Sequence, residues 1–526
     1  MKKFDPALTN SKDSYSKSKA QQILVPNRRQ FLRTTAAGAI SVGMAPVASA
    51  ASVSSQRESS SSHTSQTKRV DVDFSKVIGR VKPLNGVNGG PLVILGQLDL
   101  SSRFSEASIS HVRLHDIPVM YDNVVDVNYI FRHPEADEND PQSYDFSLTD
   151  YYIQSIRSLG AEVTYRLGYR AEGIALPHIA GRSPVDHAKL SYPQRYKAPP
   201  SDYSKWAAIC SHIVQHYNHG WANGYQNTVK YWEIWNEPDV PIFWSGTAEE
   251  YYQLYGVTAK TLKKLDPDIN VGGPAMGYDV TKVEFLNGFL KYCRDHDVPL
   301  DFASWHIYSK DPLEVRAKSS IIRQALDHHG FSATKSIMDE WNYFLGDWTS
   351  EEKEPEYRKW LFETQVGGPP GAAYAASVLM GLQDSSVYLA DYYQGTSRYW
   401  GGLFDEFGVP RKPYFTFKAF KFLLQTPQRV ASSGSDDRGF TVIAGLSQDK
   451  SEATVLISNF GTAINRYDLT FHDLPWQENF RYEKYVVDSR HNLDMTMSEN
   501  LRTSSLNLTE DVEAPSVCLI RLRVSK

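Results

Sequence analysis

Tyr231-Trp-Glu-Ile-Trp-Asn-Glu-Pro-Asp239 is the stretch on which the reading of this 526-residue chain turns. Its first half is a short apolar run of the kind that forms a buried strand. Its second half exchanges the apolar residues for Asn236 and Glu237, and Pro238 then halts the ladder because it has no N–H to donate. A strand that closes on polar and charged groups marks a site. A second stretch repeats the pattern, Ile337-Met-Asp-Glu-Trp-Asn342. Glu237 and Glu340 stand 103 residues apart in sequence, so only a fold can bring them together.

Outward from these runs, the chain alternates short apolar segments with helical patterns. Strands are predicted over residues 86–89, 109–116, 162–168, 229–236, 270–274, 302–308, 336–340 and 387–392. Helices are predicted over 147–159, 203–217, 248–265, 283–295, 321–329 and 356–382. Eight near-continuous apolar strands separated by helices imply parallel pairing, an α/β fold class and a (β/α)8 TIM barrel over residues 84–425. After Pro427 the pattern changes to strands and turns, at 441–444, 453–459, 465–470, 482–487 and 517–524. Residues 426–526 are therefore expected to form an all-β sandwich domain. The alternating run Val70-Asp-Val-Asp-Phe74 suits a half-buried antiparallel strand, and residues 70–83 are expected to join that sandwich.

In such a barrel, catalytic groups sit at the C-terminal ends of the strands. Arg113 and His115 end the second predicted strand, Asn236 and Glu237 the fourth, His306 and Tyr308 the sixth, and Glu340 the seventh. Two facing carboxyl groups are the minimum equipment for cleaving a glycosidic bond: one protonates the leaving oxygen, the other attacks the sugar carbon or activates water. The acid must keep its proton, through an apolar wall to which Trp232 and Trp235 could contribute, or through a second carboxylate. The attacking group must be ionised, and Arg113 and Tyr308 are placed to hold Glu340 so by donating hydrogen bonds. Asn236 suits the sugar 2-hydroxyl, His115 and His306 suit other hydroxyls, and Trp341 is a further candidate substrate contact.

The first 50 residues read as an export leader. Arg28-Arg29-Gln30-Phe31-Leu32-Arg33 is a twin-arginine pattern, followed by a weakly apolar run and the small-residue site Ala48-Ser49-Ala50. The Ser-rich residues 51–69 read as a disordered linker. The expected location is periplasmic or secreted, with no membrane anchor once the leader is removed. The whole chain has a formal charge of −5; the leader carries five Lys and three Arg against two Asp, so the remainder stands at −11. So acidic a chain is not built for nucleic acid or anionic membrane. Cys210, Cys293 and Cys518 have no metal-ligand spacing and read as core thiols. The acidic run Glu135–Asp140 lacks the alternating ligands of a calcium loop. Neither metal nor cofactor is expected. The irregular stretch 171–200 follows the third strand and is expected to wall the cleft.

The stretch from Ala198 to Asp311 resembles glycoside hydrolase family 39, the family of β-xylosidases and α-L-iduronidases. The matching segments are Pro-Pro-Ser-Asp-Tyr, Tyr-Trp-Glu-Ile-Trp-Asn-Glu-Pro-Asp, Phe-Trp-Ser-Gly-Thr, Val-Gly-Gly-Pro-Ala and Pro-Leu-Asp-Phe-Ala-Ser-Trp-His-Ile-Tyr. The resemblance continues through Met-Asp-Glu-Trp-Asn and Gly-Gly-Leu-Phe to Lys-Pro-Tyr-Phe-Thr-Phe-Lys-Ala-Phe. It implies a retaining mechanism with Glu237 as acid/base and Glu340 as nucleophile, and an accessory β-sandwich. The family often has Thr before the nucleophile where this chain has Asp339. A β-xylosidase-like activity on terminal glycosides is the leading expectation. An endo-acting glycanase, a glycosidase for another sugar and a non-catalytic sugar-binding protein are the alternatives.

Overall fold

The structure, a computed structural model, describes residues 66–93, 96–115, 118–119, 122–168, 197–241, 243–277, 283–345, 357, 360–395, 401–436, 439–476 and 479–524. The leader and most of the stretch 171–200 lie outside them. The described residues open with a long strand, β1 (Gln66–Arg80), and then build eight parallel strands: β2 (Gly86–Asn88), β3 (His111–Leu114), β4 (Glu162–Leu167), β5 (Tyr231–Ile234), β6 (Asn270–Met276), β7 (Phe302–Ser309), β8 (Lys335–Tyr343) and β9 (Val387–Tyr392). Each pairs with the next and β9 closes on β2, giving a closed barrel. Helices between successive strands cover its outside, among them Tyr203–His219, Ala248–Leu265, Val283–Asp295 and Pro312–His328.

Alternation along each strand sorts the side chains. Tyr231, Phe302, Ile337 and Leu389 form a small apolar cluster at the N-terminal end of the barrel. Above it the inward positions turn polar: His111, Thr164, Glu233, Asp339 and Asp391 are all buried. His111 Nδ1 contacts Asp391 Oδ1 at 2.6 Å and its Nε2 contacts Thr164 Oγ1 at 2.9 Å, so this layer is tied together across three strands. Gly86 leaves room for it. A Cβ there would lie 2.1 Å from Asp391 Oδ1 and 2.9 Å from the Ala390 carbonyl oxygen. Gly86→Ala is therefore expected to destabilise the fold by about 1–3 kcal/mol, the cost of overpacking a filled core. Chemical denaturation reads this directly, and an unchanged midpoint would show that the Asp391 layer yields freely.

The strands after the barrel are β10 (Gln428–Ser433), β11 (Phe440–Leu446), β12 (Glu452–Asn459), β13 (Ile464–His472), β14 (Phe480–Val487), β15 (Asn492–Leu501), β16 (Leu506–Asp511) and β17 (Ser516–Val524). With β1 they form one nine-stranded sheet in the order β15-β14-β17-β12-β11-β10-β1-β13-β16. The sheet curls so that β14, next to one edge, meets β16 at the other: the Tyr482 hydroxyl on β14 donates to Glu510 Oε1 on β16 at 2.8 Å, and Lys484 pairs with the same carboxylate. The enclosed core contains Val70, Val72, Val455, Ile457, Leu469, Phe471, Ile520 and Leu522. Here β1 runs antiparallel to β10 and parallel to β13. It starts at Gln66, inside the stretch read as linker, because its first residues pair with β13, through one register shift between Gln66 and Thr67, even though their side chains are polar.

The outer face of the sheet packs on the barrel through the helix Pro369–Gly381. Its residues Gly371 to Met380 are all buried, as expected of a helix covered on every side. Ser377 Oγ donates to Ser458 Oγ, and Ser458 Oγ donates to the Ala373 carbonyl at 2.7 Å, so these two hydroxyls of the seam are satisfied. The continuous helix predicted over 356–382 is in fact broken. The sequence Gly367-Gly368-Pro369-Pro370 interrupts it, and Pro at the first turn starts the second segment. The helix predicted from residue 321 begins at Pro312, capped by Asp311 Oδ1, which accepts from the Leu313 amide. The three cysteines are buried and free. No helix of the described residues is long and apolar enough to cross a membrane.

Candidate active site

The C-terminal mouth of the barrel gathers the polar strand ends. Glu237 follows β5 and Glu340 lies on β8, both fully buried. His306 on β7 stands between them: its Nδ1 is 2.7 Å from Glu237 Oε1 and 3.6 Å from Glu340 Oε2. One ligand-capable atom from each of the three residues lies within 4.8 Å of the others. An oxygen of each carboxyl thus lies within 4.8 Å of the other, a close approach in keeping with the separation of about 5–5.5 Å between carboxyl groups in retaining glycosidases.

Local backbone explains how two glutamates so far apart in sequence come to face one another. Glu237 has φ 45° and Trp235 has φ 72°, left-handed values that cost a side-chain-bearing residue strain and commonly occur at functional sites. The Glu237 amide donates to the Ala275 carbonyl of β6 at 3.0 Å, which pins the turn. On β8 the device is a bulge. Ser304 pairs with Ile337, Trp305 with Met338, but His306 with Glu340, so Asp339 is the extra residue. Simple alternation from inward-facing Ile337 would turn Glu340 outward; the bulge brings both Asp339 and Glu340 to the interior.

Arg113 organises the floor of the site. It is fully buried, and each nitrogen of its guanidinium is used. Nη1 donates to Glu340 Oε1 at 2.9 Å and to Asn88 Oδ1 at 3.2 Å; Nη2 donates to Asn236 Oδ1 at 2.8 Å; Nε donates to Glu233 Oε2 at 2.7 Å. Asp339 Oδ2 lies 3.1 Å from Nε. Tyr308 donates to Glu340 Oε2 at 2.6 Å, and His115 Nε2 is 3.0 Å from Glu340 Oε1. Burial opposes ionisation of Glu340, but the neighbouring His306 and His115, the His115 hydrogen bond and Arg113 outweigh it, so its carboxyl is held well below the ordinary range. Glu340 is thus a carboxylate with both oxygens oriented, as an attacking group requires.

Asn236 is held through Oδ1 by Arg113, and its Nδ2 has no partner among the described residues. That leaves amide N–H groups for a sugar hydroxyl. The tryptophans expected near the carboxyls behave differently. Trp341 follows Glu340 on β8 and points to the opposite face, where it packs edge-on against Tyr392 at 5.0 Å. It is a core residue and not a substrate contact. Trp232 also faces outward and stacks on Tyr165, while Trp235 packs among Trp206 and Trp244 and donates to the Phe243 carbonyl. The acid's surroundings come instead from His306. Tyr393, just after β9, was not foreseen; its ring lies 6.0 Å from His115 and 6.2 Å from Tyr308. Glu233 was also missed, although a charge in the middle of an apolar strand, at an inward position, was a readable signal.

The model of glycosyl hydrolases family 39 matches residues 71–342, just over half of the chain. A β-xylosidase of Geobacillus stearothermophilus is 34% identical over 193 residues, which cover 35% of this chain and 34% of that protein. A β-xylosidase of Caldicellulosiruptor saccharolyticus is 25% identical over 343 residues, covering 62% of this chain and 66% of that protein. The match therefore spans about a third of the first relative's length and just under two thirds of the second's. Among solved structures, a glucosidase of Croceicoccus marinus superimposes with a TM-score of 0.73 at 25% identity, over 88% of this chain and 99% of that one. On the family match, the barrel and its paired glutamates, the chain belongs to glycosyl hydrolases family 39.

Proposed function

We infer that the protein is a retaining glycoside hydrolase that removes terminal sugars by double displacement, with Glu237 as acid/base and Glu340 as nucleophile. The observation that carries this reading is the meeting of the two carboxyls at His306. In the first step a Glu340 oxygen attacks the anomeric carbon while Glu237 gives its proton to the departing oxygen. The product is a glycosyl ester on Glu340 and a free alcohol. In the second step Glu237, now a carboxylate, takes a proton from the incoming water as that water's oxygen displaces Glu340. Asn236 binds a sugar hydroxyl, and His115 and Tyr308 keep the Glu340 oxygens oriented.

The sugar we favour is a β-linked xyloside, because two relatives are β-xylosidases. A glucoside is the second reading, favoured by the glucosidase of similar fold that matches nearly the whole chain. The two sugars differ by the hydroxymethyl group on C5, so the pocket beside that carbon decides between them. Export by the twin-arginine route belongs to the same reading and rests on the leader motif. A panel of aryl glycosides, with the first-released anomer followed by proton NMR, tests the proposal. It predicts fastest hydrolysis of the xyloside and a product of unchanged anomeric configuration; an inverted product, or no hydrolysis of any glycoside, would sink it.

A further inference from the structure

Asp339 is the extra residue of the β8 bulge, and no step of the mechanism uses it. Its side chain is fully buried, and its Oδ2 and Glu233 Oε2 of β5 both lie against Arg113 Nε, at 3.1 and 2.7 Å. Both Asp339 oxygens and Glu233 Oε1 lack a hydrogen bond from the described residues. Arg113 Nε and Ser304 serve Glu233, but if both groups were ionised two acceptor-only carboxylates would face one another with no proton of their own between them. A single proton between them removes the repulsion and supplies the missing donor. The other titratable and charged groups around the pair are Arg113 on β3, His306 on β7, Glu340 on β8 and Asp391 on β9. Arg113 Nε is 3.1 Å and His306 Nε2 is 3.4 Å from Asp339. Arg113 is the one fixed positive charge in this group, and it already faces Glu233 and Glu340. A third carboxylate would exceed it.

We propose that Asp339 is a positioning residue that acts as a neutral acid: it donates its proton to Glu233, ties the β8 bulge to β5, and so leaves the Arg113 charge to Glu340. Two other observations agree. The Asn88 amide donates to the Asp339 main-chain carbonyl at 2.7 Å, so the bulge is held from β2 as well. Burial, and then the Glu233 charge, push the Asp339 carboxyl well above its ordinary range, while Arg113 and the Asp339 hydrogen bond bring Glu233 down despite its burial. The role in turnover rests on Glu340 being the nucleophile; the placement of the proton does not.

The sign of the pH effect follows. A carboxyl whose folded value is raised binds a proton that the unfolded chain has released, so its contribution to stability is lost as pH rises from about 4 towards the folded value. Asp339→Asn keeps a donor of the same shape that cannot ionise. Its melting temperature should gain on that of the parent steadily as pH rises, and kcat near neutral pH should stay within a few-fold. Asp339→Leu removes the donor and should lower kcat by about 100-fold with a smaller change in KM, the effect of a nucleophile moved off line. Parallel melting curves at all pH values, or an Asn variant as impaired as the Leu variant, would overturn the proposal. Failure of Asp339→Asn to fold would overturn it too, since the amide supplies the same donor in the same volume. The melting data need no substrate, so they remain decisive even if the assigned activity fails.

Discussion

Glu340→Ala is expected to lower turnover of every glycoside by about 10⁴-fold or more, the scale on which loss of a nucleophile acts. No leaving group rescues it, because bond formation at the anomeric carbon is then missing. Glu237→Ala should behave differently. Substrates with poor leaving groups should lose about 10²–10⁴-fold, the contribution of a positioned acid. Those with strongly acidic phenol leaving groups need no proton and should still glycosylate Glu340. The second step then stalls for want of a base, and an added small anion such as azide should release the sugar. Steady-state kinetics on a leaving-group series reads both variants. Equal losses in both, independent of the leaving group, would show that the two roles are not divided as assigned.

Arg113→Met has the second largest expected effect, and it falls on stability. The guanidinium is fully buried and neutralises Glu233 and Glu340 at 2.6 and 2.9 Å. Removing one partner of a buried ionic set leaves uncompensated charge, at a cost of about 3–5 kcal/mol. The loss should depend on pH in a definite direction. Glu340 is depressed by His306, His115 and Arg113 in spite of its burial. A depressed carboxyl contributes stability above its unfolded value of about 4.3 and loses it as pH falls through the folded value. The deficit of Arg113→Met should therefore shrink in acid, where Glu340 takes up a proton in either protein. Chemical denaturation at neutral and acid pH checks this. A variant as stable as its parent at neutral pH would mean that the carboxyls share their charge with groups other than Arg113.

Much of this was legible in the sequence, for physical reasons that can be stated strand by strand. Parallel strands are buried on both faces, so β5, β7 and β9 appear as mainly apolar runs while β4 alternates apolar residues with Glu162, Thr164 and Arg166, and a polar residue at the end of an apolar run is conspicuous. That is how Arg113, Asn236, Glu237, His306 and Glu340 could be found together. In the outer sheet, β12 and β17 were visible for the same reason, whereas β15 was not: its residues are mostly exposed, and an edge strand facing water carries no apolar alternation. The helix Lys412–Gln425 was matched only by likeness, because phenylalanines occur on several of its faces. The tryptophans misled, since their contacts depend on which face of a strand they occupy, and for Trp341 that was fixed by the bulge at Asp339. A bulge of one residue leaves no mark on composition or period. It is also why Trp341 was placed in the pocket and lies in the core. The cleft wall expected from 171–200 falls largely outside the described residues.

The central claim is that Glu340 carries the sugar between the two steps. The most direct measurement is mass spectrometry of the protease-digested enzyme after exposure to a 2-deoxy-2-fluoro-xyloside or the matching glucoside, each with an activated leaving group. The fluorine slows both steps, and the good leaving group lets only the first proceed. The account predicts one added sugar per chain, linked as an ester to Glu340 in the peptide containing Met338-Asp-Glu-Trp-Asn342. A label on Glu237, or full turnover of ordinary substrates with no label at all, would contradict it.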